Sequence, residues 1–111
     1  MGKIASVFAL GFCLLMLGCA ARDSGAYDRG MDALSRGDYS AAVQEFQTAA
    51  DQDGRKAEAY RGQGIASLRQ GDYAGAIALF SQSLEEMKHS NRKFRRDVLL
   101  YQAEAYEKNR Q

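Results

Sequence analysis

Apolar residues recur at spacings of three and four along most of the chain, an interval that places side chains on one face of an α-helix. The two longest series are Tyr39, Ala42, Val43, Phe46, Ala49 and Ala50, and Tyr73, Ala76, Ile77, Phe80 and Leu84. A shorter series precedes each of them, namely Tyr27, Gly30, Met31 and Leu34, and Tyr60, Gly64, Ile65 and Leu68. The pattern therefore predicts four amphipathic helices in this part of the chain.

A short polar turn separates the two helices of each pair. Gly37 and Gly71 suit the residue just past a helix end, where the backbone turns left-handed at little cost to glycine. Asp38 and Asp72 follow them, and a carboxylate there can accept hydrogen bonds from the unpaired backbone N–H groups of the next helix. The sequence thus predicts two helix–turn–helix hairpins.

The two hairpins are copies of each other at a fixed offset of 34 residues. The block Gly37–Phe46 returns as Gly71–Phe80, and Gly30 corresponds to Gly64. A fixed period of this length indicates stacked helix–turn–helix units. The alternative is two unrelated hairpins that share a common turn, but the matches cover core positions as well as the turn.

The repeated positions resemble those of tetratricopeptide repeat (TPR) proteins, in which a glycine is followed by a small alanine, an aromatic residue and a second small residue. These places hold Gly30, Ala42, Phe46 and Ala49 in the first unit, and Gly64, Ala76, Phe80 and Ser83 in the second. Unlike the family, the chain has no proline to close each unit. The resemblance implies an all-α, TPR-like α-solenoid with repeats at about residues 23–56 and 57–90.

The period breaks after the second unit. The best match to a further first helix is Leu99–Tyr106, which comes about five residues late and puts Ala103 in the place of the helix glycine. Asn91 can cap a long final helix whose inner face carries Phe94, Val98, Tyr101 and Ala105. We therefore expect a C-terminal capping helix over about residues 91–110, which completes a domain of residues 25–111.

The N-terminus carries a different signal. Lys3 is followed by Ile4–Leu17, fourteen apolar or small residues without charge, too few to span a bilayer comfortably but typical of a secretory signal peptide. The run ends at Gly18-Cys19, which resembles the cleavage motif of bacterial lipoproteins. That resemblance implies removal of residues 1–18 and acylation of Cys19, with palmitate among the usual chains. An ordinary secreted protein or an uncleaved anchor are the alternatives.

An anchored chain of this kind would lie in the bacterial cell envelope, on the outer face of the plasma membrane or the periplasmic side of the outer membrane. Residues 19–24 would then form a short tether between lipid and repeats. The 15 basic and 14 acidic side chains nearly balance, which gives no general attraction to nucleic acid. A disulfide is not expected, because Cys13 would leave with the signal peptide.

Catalytic chemistry is not expected. The sole histidine, His89, lies in a polar stretch between Lys88 and Ser90. The sequence has no glycine-rich phosphate loop, no metal-ligand spacing and no nucleophile elbow, so we expect neither a cofactor nor an enzyme.

The TPR resemblance implies a concave groove, lined by the first helix of each unit, that receives a peptide or a helix of another protein. The expected groove residues are Tyr27, Asp28, Met31, Arg61, Ile65, Arg69 and Tyr101. Among them, Arg61 and Arg69 are expected to contact the partner, so substitutions there should impair binding and not folding. The leading hypothesis is therefore a membrane-anchored adaptor with an unknown protein partner. The rival is a structural subunit that self-associates or packs in a larger envelope complex without a peptide ligand.

Some TPR proteins hold the terminal carboxylate of a peptide with a clamp of Lys, Asn and Arg side chains. At the matching places this chain has Tyr27, Met31, Gly62, Asp97 and Tyr101. None of these is a cation, so no preference for a free C-terminal carboxylate is expected.

A basic cluster falls within nine residues and comprises Lys88, Arg92, Lys93, Arg95 and Arg96. One interpretation is a solvated loop and helix start. The other is contact with anionic lipid headgroups or with an acidic partner, because each cation near an anionic surface contributes about 1 kcal/mol.

Overall fold

The computed structural model describes residues 25–52, 54–87 and 91–111, and within these ranges the only regular elements are five helices. They are α1 (Ala26–Ser35), α2 (Tyr39–Gln52), α3 (Lys56–Arg69), α4 (Tyr73–Glu86) and α5 (Arg92–Asn109). The predicted all-α fold, with two helix pairs and a final single helix, is confirmed. The predicted signal peptide, Cys19, the tether, Lys88 and His89 lie outside the described residues.

Each helix packs against the next one along the chain. In addition α1 contacts α3, and α3 contacts α5. The odd-numbered helices, which are the first helices of successive units, therefore form a continuous row, as expected of a solenoid. Among the described residues no helix is both long enough and apolar enough to cross a membrane.

The turns have the geometry that the sequence predicts. Gly37 and Gly71 have φ angles of +79° and +88°, in the left-handed region that favours glycine. The Asp72 carboxylate accepts a hydrogen bond from the backbone N–H of Gly75 at 3.0 Å, and Asp38 accepts one from Ala41 at 3.4 Å. Both hairpins therefore close in the same way.

The core is built from aromatic rings set against glycines. The fully buried Phe46 of α2 lies between Gly30 and Gly62, where an added Cβ would come within 2.8 Å and 2.5 Å of its ring. Phe80 of α4 is equally buried and lies against Gly64. The absence of side chains at these glycines lets neighbouring helices approach closely enough to enclose each ring.

The final helix docks as the sequence predicts. Asn91 caps it by accepting a hydrogen bond from the backbone N–H of Phe94 at 3.0 Å. Val98 and Ala105 are fully buried, and the ring of Tyr101 stacks on Phe80 with centroids 5.9 Å apart. The inner face of α5 thus packs on α4 and closes the core at this end.

Candidate binding groove

A cavity of about 220 Å³ lies along the row of odd-numbered helices. It is lined by Tyr27, Met31 and Leu34 from α1, by Glu58, Arg61, Gly62 and Ile65 from α3, and by Asp97 and Tyr101 from α5. We call these nine residues the groove. Its walls come from three helices that are far apart in sequence, so the stacking of the units creates the site.

Most of the expected groove residues meet in this place. Tyr27, Met31, Arg61, Ile65 and Tyr101 line the cavity. Asp28, which is exposed on α1, and Arg69, at the end of α3, do not line it. Sequence reasoning missed Glu58, for which the available signal was its spacing of three residues before Arg61.

The groove has an apolar floor that is continuous with the core. The ring of Tyr27 meets Phe46 edge-on, with centroids 5.7 Å apart, while Tyr101 rests on Phe80. Met31 is 43% exposed, whereas Tyr27, Leu34 and Ile65 beside it in the groove are half-buried. A partner placed in the groove would cover this methionine and remove its surface from water, which favours binding.

Arg61 is engaged within the groove itself. Its Nη1 lies 3.0 Å from Oδ2 of Asp97, and its guanidinium carbon lies 4.5 Å from the ring centroid of Phe94. Only 22% of the Arg61 side chain is exposed. Its charge is therefore balanced by α5, and Glu58 remains without a basic partner among the described residues.

Arg69 makes a second bridge between the same two helices. Its Nη1 lies 3.6 Å from Oε2 of Glu104. Because both side chains connect α3 to α5, a change at Arg61 or Arg69 would also remove a contact of the last helix, which the sequence did not predict.

The basic cluster is divided by the helix that carries most of it. Lys93 lies near Asn91, Phe94 and the Arg61–Asp97 pair, next to the groove. Arg92, Arg95 and Arg96 instead line a separate depression on the other side of α5. The cluster therefore forms no single patch among the described residues.

The groove has the properties of a binding surface for a polypeptide and lacks those of a metal site. Within residues 25–52, 54–87 and 91–111, no group of three or more His, Cys, Asp or Glu side chains is placed to hold a metal ion. The groove combines exposed apolar surface, an internally paired arginine and a lone carboxylate. These features suit contact with another polypeptide.

The chain matches a known protein family. The family model described as "Tetratricopeptide repeat" matches residues 27–91, which is more than half of the chain. No curated protein and no solved structure matches the chain.

Proposed function

The chain belongs to the tetratricopeptide repeat family, and from this premise we propose that it is an adaptor whose groove between α1, α3 and α5 binds a segment of another protein. Repeats of this family generally mediate protein–protein interaction and have no catalytic role. The proposal assigns the groove residues to that interaction.

The observation that carries the proposal is the exposed apolar floor of the groove. Met31 is solvent-exposed at a place where helices from three successive units converge. An extended peptide or an amphipathic helix could insert an apolar side chain between Met31 and Ile65. Glu58, which lines the groove without a basic partner among the described residues, favours a segment that carries a basic residue close to that apolar side chain.

We also propose that the protein is a lipoprotein of the bacterial cell envelope. The support is the uncharged run Ile4–Leu17 and the Gly18-Cys19 pair that ends it. The chain would divide into a signal peptide (1–18), a lipidated Cys19 with a short tether (19–24) and the repeat domain (25–111). A tether of about five residues reaches at most about 17 Å, so the partner would have to lie close to the membrane.

Site-specific photocrosslinking in intact cells tests the groove. A photoreactive amino acid replaces Met31 in the full chain, and the captured protein is identified by mass spectrometry. The matched control places the same amino acid at Ala78, which is exposed on α4 and lies outside the groove. We expect one protein to be captured from position 31 and not from position 78.

The captured protein is then tested with purified components. Met31→Glu should weaken its binding at least about tenfold, because a charge would enter the apolar floor, and Ala78→Glu should leave binding unchanged. Equal binding by both variants would place the interaction elsewhere. Capture of the chain by itself from position 31 would support the self-associating subunit instead.

A further inference from the structure

Helix α5 repeats the inward packing of α3. Val98 and Ala105 are buried, like Ala59 and Ala66 of α3, and the offset in both pairs is 39 residues. At the same offset Tyr101 lies against Phe80, just as Gly62 lies against Phe46. The two helices therefore correspond residue by residue, with Ala103 in the place of Gly64.

The opposite face of the two helices differs. In α3 this face is covered by α4, since Phe80 lies against Gly64 and the Ser83 hydroxyl donates to the carbonyl of Ala57 at 2.7 Å. The corresponding residues of α5 are Ala103 and Arg96, and both are exposed. Among the described residues nothing covers this side of α5. We call it the outer face, formed by Arg92, Arg95, Arg96, Leu99, Ala103 and Tyr106.

The outer face combines uncovered apolar groups with uncompensated positive charge. Leu99 is 42% exposed and Tyr106 is 53% exposed. An open depression of about 360 Å³ is lined by Arg92, Arg95, Arg96, Leu99 and Leu100. Within the described part of the chain, none of these three arginines has a carboxylate within 4 Å.

The acidic residues of α5 do not neutralise these arginines. Asp97 and Glu104 are paired with Arg61 and Arg69 of α3, on the inner side. Glu107 lies near Arg110 at the far end of the helix. Among the described residues no carboxylate complements the outer face, so its charge suits a binding partner of opposite sign.

We propose that the outer face binds an acidic amphipathic helix of another protein, with its apolar stripe on Leu99 and Tyr106 and its carboxylates on Arg92, Arg95 and Arg96. This surface is distinct from the groove, and the inference goes beyond the function proposed above. A helix is the fitting shape because the chain covers the corresponding face of α3 with a helix.

A second copy of the chain is a poorer occupant. Two α5 helices packed antiparallel by their outer faces would bring Arg92 and Arg96 of one copy towards Arg110 of the other. Like charges opposite each other oppose association. The arrangement of charge therefore favours a partner of opposite sign.

Ala103 limits which helix can dock. At the corresponding Gly64, a Cβ would come within 2.6 Å of the Phe80 ring. Since Ala103 carries that Cβ, a partner helix cannot place a phenylalanine there as α4 does. The partner is expected to present a small residue, such as alanine, at its closest approach.

The test uses a synthetic helical peptide of about 18 residues with leucines at helical spacing, alanine at its centre and four glutamates near its ends. The fluorescently labelled peptide is titrated with the full chain in neutral detergent micelles at low salt. Arg92→Glu with Arg96→Glu should weaken binding at least about tenfold, or about 1.4 kcal/mol. Lys93→Glu is the matched control, because Lys93 lies on the groove side of the same helix.

The double variant is expected to fold, because acidic residues near a helix N-terminus interact favourably with the helix dipole, and circular dichroism checks this. Equal binding of the peptide with glutamine in place of glutamate would overturn the proposal, as would equal binding by the double variant and the control. So would preference for a peptide with phenylalanine at its centre, which would overturn the docking geometry.

Two other results would point to different occupants. If phosphatidylglycerol added to the micelles protects α5 from hydrogen exchange while the acidic peptide does not bind, the face contacts anionic lipid. A dimer that is lost in Leu99→Glu would identify a second copy. Met31→Glu should leave peptide binding unchanged, so failure of the groove proposal and failure of this one are distinguishable.

Discussion

At the scale of single residues, Gly62 carries an unusual constraint. It lies inside α3, where glycine is otherwise a poor choice, yet a Cβ there would come within 2.5 Å of the fully buried Phe46 ring. Gly62→Ala should therefore destabilise the fold by roughly 1–2 kcal/mol, the cost of overpacking less the gain in helix propensity. Urea unfolding followed by circular dichroism measures the difference.

The matched test of that mechanism combines Gly62→Ala with Phe46→Leu. If the ring is the obstacle, the double variant loses less stability than the sum of the two single variants, since neighbouring sites couple. Simple additivity of the two losses would mean that the Cβ meets no obstacle.

The charge of the groove predicts whether it distinguishes a peptide with a free C-terminal carboxylate from a peptide with a C-terminal amide. Arg61 is the sole cation among its nine lining residues, and Asp97 already balances it. Peptides from the partner captured at position 31 should therefore bind equally well as free acids and as C-terminal amides. Isothermal titration calorimetry measures both. A tenfold loss on amidation, about 1.4 kcal/mol, would show that a terminal carboxylate is recognised.

At the scale of helices, the two arginine bridges predict how α5 is held. Arg61→Glu with Arg69→Glu would place glutamates opposite Asp97 and Glu104. We expect a loss of stability of about 1 kcal/mol, because each pair is partly exposed and screened by solvent. Hydrogen exchange should increase chiefly over residues 92–109.

Arg36→Glu is the control for that prediction. Arg36 pairs with Asp32 within α1, so its reversal should leave hydrogen exchange of α5 unchanged. Reversing both members of one bridge, Arg61→Glu with Asp97→Arg, should give a more stable protein than Arg61→Glu alone, because the ion pair is restored with its charges exchanged. Unchanged exchange over α5 in the arginine double variant would mean that the bridges do not hold this helix.

The two arginine bridges could not be predicted from the sequence, whereas the turns and the helices could. The turns at Gly37 and Gly71, the cap at Asn91 and the inner face of α5 follow from local pattern and are confirmed. The partners of Arg61 and Arg69 depend on the position of α5 along α3. An insertion of five residues breaks the repeat period before α5 and changes that position. Residue spacing alone cannot predict that position, so the sequence indicates no partner for either arginine.

At the scale of the whole molecule, the lipoprotein proposal predicts the mature product. Protein purified from membranes should lack residues 1–18 and carry acyl chains on Cys19, as measured by intact mass. Cys19→Ser should remain uncleaved and lose the lipid. Cys13→Ser is the control and should be processed normally, because it lies within the removed segment. A Cys19→Ser protein that is cleaved and unlipidated would instead indicate ordinary secretion.

The position of Phe46 has a consequence for how the molecule comes apart. Its ring contacts Gly30 in the same repeat and Gly62 in the next one, so a single side chain closes one unit and joins it to its neighbour. In repeat proteins, stability divides into terms within each unit and terms between units. Both terms of the first repeat depend on this one ring, and α3 cannot move away from the first repeat without uncovering it. The two repeats should therefore lose their structure together, as one cooperative unit with no half-unfolded state.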